Sequence, residues 1–238
     1  MLIGIHAVAQ KSNGGVFRYT ESLIERLGET GSPDDRFLVL VDGDMDYPPS
    51  LVEKKGWATA SYARTALGWL QSLAVKTVGD EVARRLWYAG AKIWPKSVVA
   101  QPIRVPRPDS RLESFHRTQG TEVMFYPAYS DAVFRVRVPA IATVHDLNHR
   151  FYDEFPEIRA YGEYERRERF FVNVCRTAET VLVESETGKE DLLNCYGGFG
   201  LDEARVVVLP MLPSRAATTA TSPRERDAVQ ERYGLPRD

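Results

Sequence analysis

Two histidines flanking an aspartate, His145, Asp146 and His149, follow directly on the apolar run Ala140–Val144. A histidine at the carboxyl end of a buried strand faces the crevice of an open parallel sheet. There an imidazole can donate to a hydroxyl or a phosphate, or serve as a satisfied structural group. The spacing of four raises a metal site, but these residues leave a strand and no acidic third ligand has matching spacing, so no metal is expected. A second stretch, Asn13-Gly14-Gly15, lies between an apolar run and a helical one. Paired glycines let the backbone approach a ligand, and the helix start offers unpaired N–H groups to an anion. The stretch is neither G-x-G-x-x-G nor a Walker loop, and an ordinary turn is the alternative. Ser185, after the run Thr180–Val183, has the type and position of a helix N-cap. No G-x-S-x-G surrounds it, which argues against a nucleophilic triad with His145 and Asp146. Tyr126 and Tyr129, with Pro127-Ala128 between them, line a ligand cleft or pack in the core.

Residues 64–107 differ from the rest. They carry eight Lys and Arg against Asp80 and Glu81, whereas the whole chain has a net charge of −2. Trp69, Trp87 and Trp94 interleave there with Arg84, Arg85 and Lys92. That mixture suits the headgroup layer of an anionic membrane, or a solvated helix pair over the core. The nearly balanced total leaves no global footprint for nucleic acid.

The elements that must position these groups follow from the apolar runs. Leu2–Ala9, Phe37–Val41, Thr121–Tyr126, Ala140–Val144, Thr180–Val183 and Arg205–Leu209 are short and nearly continuous. Helical periodicity covers Val16–Leu27, Pro156–Arg176, Glu186–Tyr196 and Pro223–Tyr233. Apolar strands alternating with helices predict an α/β fold, a doubly wound, Rossmann-like parallel sheet covered on both faces. With 238 residues, 43% of them apolar, the chain can build a sizeable core. Two cysteines cannot form a disulfide framework, and no stretch is long and apolar enough to span a membrane. Together with the absence of a basic n-region at the start, this predicts a cytoplasmic protein, with peripheral contact at the inner face of the membrane if the basic segment binds lipid. Residues 213–222 read as a linker after a domain at 1–212, and 223–238 as the first element of a further domain.

In order and spacing these segments resemble family-4 glycosyltransferases of the two-domain GT-B fold. The matching stretches are Gly14-Gly15-Val16-Phe17-Arg18-Tyr19-Thr20, Thr143-Val144-His145-Asp146-Leu147 with Phe155-Pro156-Glu157, and Thr180–Thr187. The resemblance continues through Arg205–Pro210 to Arg232-Tyr233-Gly234-Leu235-Pro236. It implies the amino-terminal, acceptor-side domain of a retaining, metal-independent enzyme that uses a nucleotide-sugar donor and a saccharide or lipid-linked acceptor. Gly14 and Gly15 would approach the donor's phosphate and sugar, and His145 would lie beside the transferred sugar. Asn13, Tyr126, Tyr129, Asp146 and Ser185 are candidate cleft contacts. The nucleotide pocket and a Glu-x7-Glu element would belong to the carboxyl-terminal domain, so this chain alone is expected to be inert. Glu184-Ser185-Glu186 departs from the family's more usual Val-Ser. A non-catalytic module binding a membrane or partner, and half of a sugar-nucleotide epimerase, are the rival readings.

Overall fold

The computed structural model describes residues 1–8, 14–41, 52–53, 56–61, 105–152, 154–159, 162–211 and 222–236. The basic segment with Trp69, Arg84, Arg85, Trp87, Lys92 and Trp94, together with Asn13 and most of the expected linker, lies outside them. Seven strands form one sheet in the order β3-β2-β1-β4-β5-β6-β7. They are β1 (Leu2–His6), β2 (Arg36–Val41), β3 (Trp57–Ser61), β4 (Val123–Tyr126), β5 (Ala140–Thr143), β6 (Thr180–Val183) and β7 (Val206–Val208). All neighbours pair in parallel, with Ile5 opposite Val39 on one side and Phe125 on the other. The fold class is the doubly wound α/β architecture expected from the alternation of apolar strands and helices.

The pleat sorts each strand between two faces. Leu38 and Leu40 join Met124, Ala142 and Val181 under the helices α2 (Ser110–Gln119), α5 (Glu163–Thr177) and α6 (Glu186–Tyr196). Phe37, Val39 and Val41 point the other way, toward α1 (Gly14–Thr30). Phe171, Val172, Val174 and Cys175 of α5 are fully buried, so this helix anchors the larger face. Full burial of one such side chain contributes about 1.5–3 kcal/mol.

Several boundaries differ from those predicted. Strands β1, β4, β5 and β7 are shorter than their predicted runs: β4 and β7 lose the polar Thr121, Glu122 and Arg205 at their starts, while β1, β5 and β7 end before the apolar residues do. Helix α1 runs through Gly28 to Thr30, since a single interior glycine weakens a helix without ending it. The predicted helix Pro156–Arg176 is two, α4 (Pro156–Arg159) and α5, separated at Gly162 with φ of 74°. Only glycine takes that left-handed conformation without strain. Two elements without a strong pattern, β3 and α2, were not predicted. Among the described residues no helix is long and apolar enough to cross a membrane. The final helix, α7 (Pro223–Tyr233), buries none of its residues.

Candidate functional site

In a sheet of this order the chain departs in opposite directions from β1, to β2 on one side and β4 on the other. The carboxyl ends at such a reversal frame a crevice. Gly14, with φ of 59°, and Gly15 open α1 at that end of β1. Both are exposed, and a Cβ on either would meet nothing within 4 Å. The helix start is thus unobstructed on its described side.

His145 leaves β5 at the same end of the sheet, and its imidazole ties three neighbouring strand ends together. Nδ1 lies 2.7 Å from Oε1 of Glu184, just past β6, and Nε2 lies 2.8 Å from the carbonyl oxygen of Pro127, just past β4. A carbonyl only accepts, so Nε2 carries a hydrogen. Tyr19 of α1 stands edge-on to the ring at 5.0 Å, and Tyr129 tilts against it at 6.2 Å. Burial pushes the Tyr19 phenol up, the Thr143 hydroxyl beside it pulls down, and the charge of Glu184 pushes up again. Two readings of His145 were open, a donor to a ligand and a satisfied structural group. Both of its nitrogens are engaged within the fold, because three strand ends crowd acceptors around one ring.

Beside this pair opens a cleft of about 600 Å³. Val144, His145 and Leu147 form its floor, and Asn148, Phe151 and Tyr152 one wall. The opposite wall is the start of α6, with Ser185, Thr187, Gly188 and Asp191. Ser185 is the N-cap expected from its type: its backbone is extended and its Oγ accepts the Gly188 N–H at 3.0 Å. It also lines the cleft. Asp146 shapes the floor by accepting, through one oxygen, the Asn148 N–H and an Arg167 N–H, each at 3.0 Å. The Tyr129 hydroxyl donates to the Asp146 carbonyl at 3.3 Å, while its ring packs on Phe170 and Phe171. Burial and the Asp146 charge raise the Tyr129 phenol. Tyr129 therefore braces the loop from behind. Tyr126 is fully buried with its ring edge-on to His6, so of its two readings the structure matches core packing and removes it from the cleft surface.

Beneath the first wall sits a polar knot that the sequence did not reveal. Helix α3 (Asn148–Phe151) turns His149 inward, fully buried, where it stacks on Phe171 at 5.1 Å. Its Nε2 lies 2.9 Å from both Glu168 Oε1 and the Tyr196 hydroxyl. Arg150 donates to both Glu168 oxygens at 2.6 and 2.5 Å, and the Tyr196 hydroxyl donates to Oε1 at 2.6 Å. Burial alone would raise the Glu168 carboxyl, but donation from His149, Tyr196 and Arg150 holds it below the usual carboxylate range. His145 and His149 thus have entirely separate partners. Among the described residues no group of three or more His, Cys, Asp or Glu is placed to hold a metal. Glu184 and the cleft residues Asn148, Phe151, Tyr152, Thr187 and Asp191 are site residues that sequence reasoning missed. The only advance signal was that Glu184 directly follows an apolar strand, as His145 nearly does.

No family model matches the sequence, and no curated protein sequence matches it. Solved structures do match by fold. The crystal structure of Anabaena HepE (Alr3699) in complex with UDP and glucose aligns with a TM-score of 0.52 at 14% identity, over 98% of this chain and 50% of that one. HepE in complex with UDP-glucose aligns at 0.50 and 14%, over 98% and 49%. This chain spans about half the length of the structures it matches. Nearly its whole length therefore shares a parallel α/β fold with part of a protein crystallised with UDP and a sugar.

Proposed function

We propose that this chain is the acceptor-side half of a GT-B, family-4-like retaining glycosyltransferase that moves a sugar from a nucleotide donor to a saccharide or lipid-linked acceptor. The observation that carries the reading is the cleft of about 600 Å³ at the carboxyl ends of β5 and β6, set beside the His145–Glu184 pair. The fold shared with HepE supports it. In this reading residues 1–212 form the first domain, 213–222 a linker and 223–238 the entry to a donor-binding domain.

The roles follow from chemistry. The open start of α1 at Gly14 and Gly15 receives the donor's phosphate or sugar through the backbone N–H groups of its first turn. The bond from the anomeric carbon to the diphosphate breaks, the acceptor oxygen bonds to that carbon on the same face, and the acceptor's proton passes to the departing diphosphate. Positive groups of the second domain stabilise that leaving group, without a metal. His145, held by Glu184 and Pro127, fixes the wall against which the transferred sugar lies. Rate acceleration needs both walls of the cleft, so the 238-residue chain alone transfers no sugar.

The test is to read the coding frame past Asp238 and assay its whole product with UDP-glucose and other nucleotide sugars. Transfer that retains anomeric configuration and disappears in Gly15→Val supports the reading. Sugar transfer by the 238-residue chain itself at ~1 per second or faster overturns the half-site assignment. A full-length product that binds no nucleotide sugar overturns the function.

A further inference from the structure

We propose that the cleft between the β5 and β6 loops binds an uncharged saccharide, with sugar-ring faces against Phe151 and Tyr152 and hydroxyls on Asn148, Ser185, Thr187 and Asp191, and that it excludes phosphate-bearing ligands. This rests on the glycosyltransferase reading and deepens it, by assigning the cleft to the glycan part of the acceptor.

Charge decides against phosphate. The described residues lining the cleft include the carboxylates of Asp146 and Asp191 and no lysine or arginine. The nearest-placed cations are committed elsewhere: Arg167 to Asp146 and Glu163, and Lys189 to Glu203 at 3.3 Å. The start of α6, otherwise an anion site, already has its Gly188 N–H taken by Ser185 and carries Glu186 in its first turn. A diphosphate here would face the Asp191 carboxylate with no lysine or arginine in the lining to offset it, the Asp146 charge being already paired with Arg167, which is costly in a partly desolvated cleft. Hydroxyls suit the same wall, since carboxylate, amide and Ser/Thr groups accept and donate without net charge on the ligand.

Shape decides for a sugar ring. Phe151 and Tyr152 are 50% and 48% exposed, and Phe155, 46% exposed, lies 5.9 Å from Tyr152 ring to ring. Large aromatic residues are mostly well buried, so three left open beside a cleft present flat apolar faces to a ligand. The C–H face of a pyranose fits such a surface while its rim of hydroxyls reaches the opposite wall. The volume falls in the range of small-ligand sites.

Saturation-transfer NMR on the 238-residue chain tests this with maltose, cellobiose, longer neutral oligosaccharides and UDP, and phosphorus NMR line broadening reads inorganic pyrophosphate. The expected result is saturable saccharide binding that weakens about tenfold in Tyr152→Ala and in Asp191→Asn. Circular dichroism verifies that both variants fold. The proposal is overturned if no neutral saccharide binds, if binding is unchanged in both variants, or if pyrophosphate binds and Asp191→Asn alters that binding. The two readings fail separately. Saccharide binding in a full-length product that never transfers sugar removes the glycosyltransferase and keeps this cleft. Transfer untouched by Tyr152→Ala and Asp191→Asn removes this cleft and keeps the glycosyltransferase.

Discussion

His145 and Glu184 lie 39 residues apart in sequence yet form one unit, and the unit has a structural job before any chemical one. The imidazole joins the ends of β4, β5 and β6, where a parallel sheet has no hairpins to hold its strands in register. Glu184→Ala leaves a mostly buried ring nitrogen without its partner, and is expected to destabilise the fold by about 1–3 kcal/mol in urea unfolding. An unchanged midpoint and slope would show that the pair does not hold the strand ends. Glu168 is the more demanding position. It takes donors from His149, Arg150 and Tyr196 at once, so Glu168→Gln weakens a half-buried charged hub and should lose about 1–3 kcal/mol. Its carboxyl titrates below its ordinary value in the fold. The stabilisation is therefore fully present above the usual carboxylate range and disappears as acid passes through the lowered value. An acid titration followed by circular dichroism should show a shallower acid-induced loss in the variant.

At the scale of elements, the interior strand β1 is constrained by what faces it. A Cβ on Gly4 would sit 2.2 Å from the Met124 sulfur and 3.1 Å from a Thr121 methyl, both in the packed interface of β1 with β4. Gly4→Ala is expected to cost about 1–3 kcal/mol, with more than half recovered when Met124→Val is added, as a double-mutant cycle would reveal. This is also the scale at which the sequence was most legible. Continuous apolar runs such as Phe37–Val41 could be read because burial on both faces of a sheet requires them. Ser185 could be read because capping is local chemistry. The break at Gly162 was hidden, since the charged and apolar pattern runs past it without interruption. Glu184 opposite His145, and Glu168 beneath His149, were hidden for a different reason: a pairing across two strands or two helices leaves no spacing in one chain to read. Tyr126 was ambiguous because an aromatic at a strand end serves a core or a cleft equally well until the covering helix is known.

At the scale of the molecule, α7 stands on its own local signals. Ser222 and Glu225 form a capping box, Pro223 opens the helix and Gly234 closes it, with no residue buried. Ending the chain before Ser222 should therefore shift the melting temperature by less than about 2 °C, equivalent to a few tenths of a kcal/mol. A larger drop in a thermal scan would mean that this helix docks on the body. The whole fold also has a pH signature. Burial drives His116 down from 6.5 to about 4, Glu113 pushes it up and His6 down again. The unfolded chain binds that proton below 6.5 while the fold refuses it until about 4, so stability falls as pH is lowered through this window. One proton sets an upper limit of ~1.4 kcal/mol per pH unit, and His116→Gln should remove that slope in urea titrations at several pH values. The parallel strand order has a consequence for synthesis. β1 lies inside the sheet, yet its second neighbour, paired at Ile3 with Val123, emerges from the ribosome roughly 120 residues later. At translation speeds of about 5–20 residues per second, one edge of this apolar strand waits some 6–24 s for its partner. The nascent chain is thus exposed to mispairing for that interval, and slowing translation between β3 and β4 should lower the yield of soluble protein.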